Sequence, residues 1–159
     1  MRIAIGSLLL VICLTFAKGQ TLPKVPLEDL KGTVVQSEDI FTSKEPVVVS
    51  FWATWCAPCI KELATIDENL VDWKEEMNFE FVAISIDDAR TVARLRPFVE
   101  GRRWTFPVYS DKNGLLQRQM GVAAPPHTFI IYNGEVVWQH TGYAPGDEDE
   151  LFDKLLELQ

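Results

Sequence analysis

What the chain has little of narrows its chemistry first. Its 159 residues include three cysteines, at 13, 56 and 59, far too few to staple a domain of this size with disulfides. Histidine occurs twice, as His127 and His140, 68 residues or more beyond Cys59 and not at zinc-finger spacing, which argues against a structural zinc site with the two nearby cysteines. Covalent haem attachment needs His directly after the second Cys, and Ile60 stands there. Fifteen basic residues against 23 acidic ones leave a net charge of −8, which opposes contact with a phosphate backbone and excludes a nucleic-acid role. No repeat, low-complexity tract or long Pro/Gly/Ser linker follows Gln20. What is present, 47% hydrophobic and 24% charged residues with nine Gly and nine Pro, describes a globular domain able to bury a core, and excludes disorder, collagen and coiled coil.

Arg2 precedes a 14-residue, mostly apolar run from Ile3 to Phe16, shorter than the ~20 residues a membrane-spanning helix needs. Small residues at Ala17 and Gly19 then suit cleavage before Gln20, so residues 1–19 are expected to be a secretory signal peptide. The weaker alternatives are an uncleaved anchor, a buried N-terminal helix, and a lipoprotein anchored at Cys13, the last because Ile12 is bulky where such sites carry a small residue. Removal of 1–19 takes Arg2 and Lys18 but no acid, leaving 13 basic residues against 23 acids, a net charge of −10. The two thiols left, Cys56 and Cys59, then share one four-residue window in a compartment where disulfides persist.

Residues 20–159 have the size of one domain. Residues 21–46 are polar and turn-rich, with one strand expected at Thr33–Gln36, and Val47–Trp52 has the β-branched content of a buried strand. Ile60, Leu63, Ile66, Leu70 and Trp73 recur at three- and four-residue steps and predict an amphipathic helix to about Glu76. A strand follows at Phe79–Ile86. Asp87 and Asp88 offer capping oxygens to a helix through Val92, Leu95 and Phe98, whose second half Pro97 places in question. A short strand at Pro107–Tyr109, a short helix at Leu115–Met120 and a hairpin turning on Asn133-Gly134 complete a mixed sheet. A closing helix carries Asp147–Glu150 at its positive end and Leu151, Phe152, Leu155 and Leu156 beyond.

Cys56-Ala57-Pro58-Cys59 falls where the buried strand gives way to the helix, which puts Cys56 at the helix N-terminus and Cys59 one turn inside. The partial positive charge and unpaired N–H groups of that end favour a thiolate on Cys56. Cys56 is therefore the expected nucleophile, and Cys59 the second thiol, which attacks the mixed disulfide and releases a reduced partner. Potentials of CxxC proteins span ~−270 to ~−120 mV, largely by how strongly the reduced thiolate is stabilised. Uncharged Ala57 and Pro58, the latter without an N–H, argue for the reducing end. A purely structural disulfide is the bland alternative, but so short a loop removes little chain entropy.

Ser50-Phe51-Trp52-Ala53-Thr54-Trp55-Cys56-Ala57-Pro58-Cys59, followed by Glu62, resembles the active-site segment of exported TlpA/ResA-like thiol-disulfide oxidoreductases of the thioredoxin superfamily. Gly121–Phe129 with Asn133-Gly134-Glu135 after it resembles the family's cis-proline loop, with the proline at Pro126. The resemblance covers about residues 25–158. It implies an α/β thioredoxin-like fold, a central mixed β-sheet flanked by helices with an N-terminal strand extension. It further implies a partner groove formed by Trp55, Ala57, Pro58, Pro125, Pro126 and His127, and no cofactor or metal beyond the redox-active disulfide. The expected partners are exported proteins with reducible disulfides, apocytochromes c among them, and an integral-membrane thiol electron donor, served by a periplasmic monomer.

By the same resemblance Glu62, one turn beyond Cys59, accepts or relays the proton of the deeper thiol; the bland alternative is a solvated helix carboxylate. Ser50 stands where thioredoxins proper carry a buried acid, Ala64 where relatives often carry Pro, and Pro125 lacks the N–H that relatives offer a bound partner. Trp52 reads as core, Trp55 as a shield and contact beside Cys56, and the lone His127 as structural unless it tunes the pair. Arg90, Arg94, Arg96, Arg102 and Arg103 read as a solvated face. Three rival functions fit less well. A peroxiredoxin would carry Thr where Ala53 stands, a disulfide-forming oxidase needs a large helical insertion, and thioredoxin-like copper chaperones favour three residues between their cysteines.

Overall fold

The computed structural model describes residues 22–159, so the expected signal peptide at 1–19 and Cys13 lie outside the described residues. Seven strands form one mixed sheet in the order β2-β1-β5-β4-β3-β6-β7. Its centre is β3 (Val47–Trp52), every residue of which is buried, paired parallel to β4 (Glu80–Ser85) and antiparallel to β6 (His127–Tyr132). Strand alternation sends Val48, Ser50 and Trp52 to one face and Val47, Val49 and Phe51 to the other. The first face is covered by α2 (Ala57–Glu76), α3 (Leu95–Arg102) and α5 (Asp147–Leu156); the second by α1 (Ser37–Phe41) and α4 (Leu115–Gln119). This is the thioredoxin-like fold expected from the sequence.

The long helix α2 runs unbroken for 20 residues. Its buried stripe is Cys59, Glu62, Leu63, Ile66, Leu70 and Trp73, and Trp73 stacks on Phe152 of α5 with ring centroids 4.9 Å apart. The β6–β7 hairpin, with β7 at Glu135–Thr141, turns on Asn133 (φ 51°) and Gly134 (φ 77°), the paired positive φ values of a type I′ turn. Pro97 sits in the first turn of α3, where an absent N–H leaves no helical bond unmade, so the helix continues to Arg102. A 3-10 turn at Val92–Arg94 leads into it.

Two expectations need correction. Residues 21–46 hold more than one strand: β1 (Pro26–Asp29) pairs with both β2 (Val34–Gln36) and β5 (Val108–Ser110), and α1 follows directly. The buried Ser37 hydroxyl donates to the Pro23 carbonyl and accepts the Val25 N–H, which fixes the chain's approach to the sheet. Asp87 does not cap the following helix. Its carboxylate is fully buried and turns back toward β3 and β4, while Asp88 accepts the Arg90 N–H as part of the turn.

Candidate active site

The site forms where β3 ends. Ile86 N–H donates to the Trp52 carbonyl (2.8 Å), and the chain then leaves the sheet through Ala53, Thr54 and Trp55. Asp87 fixes that departure: it accepts the Thr54 N–H (2.9 Å), the Thr54 hydroxyl (2.7 Å) and the Ser85 hydroxyl (2.8 Å). A buried carboxylate is tolerated only with such a set of donors. Cys56 N–H donates to the Ala53 carbonyl (3.0 Å), and Cys56 becomes the N-cap of α2. Its φ of −91° and ψ of 96° aim the sulfur at the helix end, where it accepts the Cys59 N–H at 3.3 Å. Ala57 and Pro58 fill the first two helical positions, and Pro58 brings no N–H, so Cys59 supplies the helix-end donor to the sulfur.

Cys56 and Cys59 are joined as a disulfide, with Cα atoms 5.3 Å apart. Cys56 is 5% exposed and Cys59 0%, so both are buried and Cys56 lies the nearer to the surface. Around them Trp55 is 57% exposed, Ala57 and Pro58 are exposed, and Trp52 is buried against Phe98 and Trp104. Pro126 is buried one residue beyond the Phe51–His127 strand pair, beside the end of β3, and its carbonyl accepts the Gly142 N–H (2.9 Å). The Pro125–Pro126 peptide is cis. The side chains of Trp55, Ala57 and Pro58 and the half-buried Pro125 thus border one end of the sheet together with Cys56.

Glu62 is buried, not solvated. Helical spacing puts it on the same face as Cys59, about 5–6 Å away between Cβ atoms. Its Oε1 accepts the Thr128 hydroxyl at 2.7 Å and its Oε2 the Ser50 hydroxyl at 3.2 Å. Burial pushes its pKa up to about 7, the two hydroxyl bonds pull it down, and the negative Asp147 and Glu148 add to the rise. The acid that Ser50 does not provide therefore enters the core from α2.

His127 lies on the other face of the sheet. It stacks on Phe129 with centroids 4.3 Å apart and contacts Gln139 Oε1 at 3.1 Å and Thr141 Oγ1 at 3.4 Å, on the sheet side away from Glu62. Burial lowers its pKa. Its partners are those of a packed, hydrogen-bonded core histidine. Of the arginines, Arg90 pairs with Asp88 and Arg96 with Glu100, both exposed, and Arg102 lies over the Phe98 ring. The sequence reading missed the role of Asp87, which has the local signature of a helix cap but takes its Thr54 donors from 33 residues back.

Fold and site together define a thioredoxin-like thiol-disulfide oxidoreductase. The sequence model described as the AhpC/TSA family matches residues 18–139. The chain is 33% identical to "Thiol-disulfide oxidoreductase ResA" of Bacillus thuringiensis subsp. konkukian over 125 residues, covering 78% of this chain and 69% of that protein. Among solved structures it is similar to a thioredoxin-like protein from Porphyromonas gingivalis, with 38% identity, a TM-score of 0.76, and 88% of this chain and 92% of that one covered. A second, described as a putative thiol:disulfide interchange protein DsbE from Chlorobium tepidum, has 30% identity and a TM-score of 0.75, with 88% and 96% covered. The chain belongs to the AhpC/TSA family and, within it, to the ResA-like thiol-disulfide oxidoreductases, a disulfide reductase by enzyme class.

Proposed function

We propose that this enzyme is exported and, as a periplasmic monomer, reduces disulfides in extracytoplasmic proteins, apocytochromes c among its candidate substrates. A membrane-embedded thiol carrier supplies its electrons, and no cofactor is used beyond the Cys56–Cys59 pair. The observation that carries this reading is the pairing of a helix-capping outer sulfur with an inner sulfur that has a buried acid one turn away. Residues 1–19 support export, being laid out as a signal peptide.

In the reduced enzyme the Cys56 thiolate attacks a partner disulfide, forming a mixed disulfide and expelling the first partner thiolate. Cys59 then gives its proton to the Glu62 carboxylate and attacks the Cys56 sulfur. The second partner thiolate leaves, and the Cys56–Cys59 disulfide is formed; two electrons have passed to the partner. Trp55, Ala57, Pro58, Pro125 and Pro126 line the groove that receives it. The carbonyl of Pro125 serves as a backbone acceptor, and its missing N–H makes that contact one-sided.

The test is a Cys59→Ala variant expressed with its leader. It should hold partners covalently on Cys56, released by dithiothreitol and identified by mass spectrometry as exported cysteine-containing proteins. A variant that reacts with small disulfides but captures no protein thiol sinks the substrate assignment.

A further inference from the structure

Glu62 has a second side. Behind its carboxyl, away from the cysteines, is a narrow cleft with room for about one water molecule. Its walls come from α2 (Glu62, Ile66), β6 (Thr128), β7 (Trp138, His140), the following loop (Tyr143) and α5 (Asp147, Glu148, Leu151). The inner end is a nine-tenths buried acid; the outer end is a half-exposed polar rim. On that rim the Tyr143 hydroxyl donates to Glu148 Oε2 (2.9 Å) and reaches Thr65 Oγ1 (3.3 Å), and the Gly146 N–H holds the same Glu148 oxygen (2.9 Å). His140 Nε2 lies 3.2 Å from Asp147 Oδ2, which the Ala144 N–H also binds. The titratable groups facing Glu62 are therefore Cys59 on its own helix and His140, Tyr143, Asp147 and Glu148 across the cleft, while β3 and β6 contribute only the Ser50 and Thr128 hydroxyls.

Glu62 can take the proton of the inner thiol only when its own carboxyl is ionised, so a protonated Glu62 has to discharge before Cys59 can resolve the adduct. The mouth beside Cys56 is covered by the bound partner during that step. We propose that the proton leaves through the rear cleft: Glu62 passes it to a water held there, and that water passes a proton to the Glu148 carboxylate, which Tyr143 positions and solvent reaches. The inference rests on Glu62 acting as acceptor for the Cys59 proton. No electrons move in this step, and one proton passes from carboxylic acid to water to carboxylate. Burial of Glu62 supports it, since an acid that loses a proton near neutrality needs a polar exit. Glu148 and Tyr143 touch no reacting sulfur and are positioning and relay residues.

The reaction of the reduced enzyme with an aromatic disulfide of the dithiobis(nitrobenzoate) type separates the steps. One coloured thiolate is released when Cys56 attacks and the second when Cys59 resolves the adduct. Glu148→Gln should leave the first phase unchanged and slow the second by at least ~10-fold, less than the ~10²-fold loss expected when the primary acid–base group is removed. Added formate should restore the second phase, and Tyr143→Phe should slow it less. Restoration by a small carboxylate is not expected if these residues only support the fold. If Glu62→Gln slows the second phase but Glu148→Gln and Tyr143→Phe both match the wild type, the rear exit is wrong and the role of Glu62 stands. If Glu62→Gln itself changes nothing, both fall.

Discussion

Replacing Glu62 by Gln makes burial of the acid measurable without any assay of activity. In the folded, disulfide-bonded protein its carboxyl has a pKa of about 7 against an ordinary 4.5, with burial the dominant cause. Because the folded value is raised, the folded state holds the proton more tightly than the unfolded state between those two pH values. Stability from this group is fully present below pH 4.5 and is lost as pH rises through about 7. At ~1.36 kcal/mol per pH unit, the interval from 4.5 to about 7 amounts to roughly 3 kcal/mol. The group is buried, so solvent screening removes little of this.

Gln is a neutral isostere that cannot ionise: its amide oxygen accepts from one of the Thr128 and Ser50 hydroxyls, and its NH2 donates to the other, which rotates to accept. Urea unfolding of the oxidised protein and of Glu62→Gln, at intervals from pH 4 to 8.5, gives the difference directly and cancels the other carboxylates. The variant should be close to or below the wild type at pH 4 and gain on it by roughly 3 kcal/mol by pH 8, most of the change falling between pH 5 and 7.5. Parallel stability curves for the two proteins would falsify the assignment of Glu62 as a buried acid of raised pKa, and with it the proton-acceptor role.

Three further outcomes follow from the same geometry. Alkylation of reduced Cys56 by iodoacetamide should titrate well below the ~8.5 of free cysteine, within about 3.5–7.5, and an unperturbed profile contradicts thiolate stabilisation by the α2 N-terminus. Asp87→Ala leaves the Thr54 N–H and two hydroxyls without their acceptor and should cost about 1–3 kcal/mol in urea unfolding; a loss under ~0.5 kcal/mol would mean water replaces the carboxylate freely. Pro125→Thr restores a backbone N–H to the groove and should alter the set of proteins captured by the Cys59→Ala variant or the reduction potential, and no change in either removes Pro125 from the binding surface.

The parts of this fold legible in the sequence are those whose cause is local. Helix α2 follows from residues spaced along one helix face, the β6–β7 hairpin from two residues able to take positive φ, and β3 from a β-branched run long enough to be buried on both faces. β1 was not legible because its own sequence carries no strand signal: Pro-Leu-Glu-Asp has no alternation, and β1 is a strand by its pairing with β2 and by that of Glu28 with Ser110, 82 residues away. Asp87 fails for the same reason. An acid between a strand and a helix has the local signature of a cap, and only the fold reveals that its donor is Thr54, 33 residues back. The burial of Glu62 was available in principle, since Cys59, Leu63, Ile66, Leu70 and Trp73 define a stripe that passes through position 62.

Placing the acid on the helix has a mechanical consequence. Ser50 and Thr128 are cross-strand partners on β3 and β6, and their hydroxyls reach the two oxygens of a carboxyl group that arrives from above. Were the acid at position 50, its distance to Cys59 would depend on how α2 sits on the sheet. Carried on α2, it keeps the three-residue helical spacing to Cys59 wherever the helix sits on the sheet. The hydroxyl pair suits this arrangement because each can donate to the anion, and either can rotate to accept from the neutral acid. The same two contacts can therefore serve both protonation states, so Glu62 can take up and release a proton in the core with only the hydroxyl hydrogens reorienting.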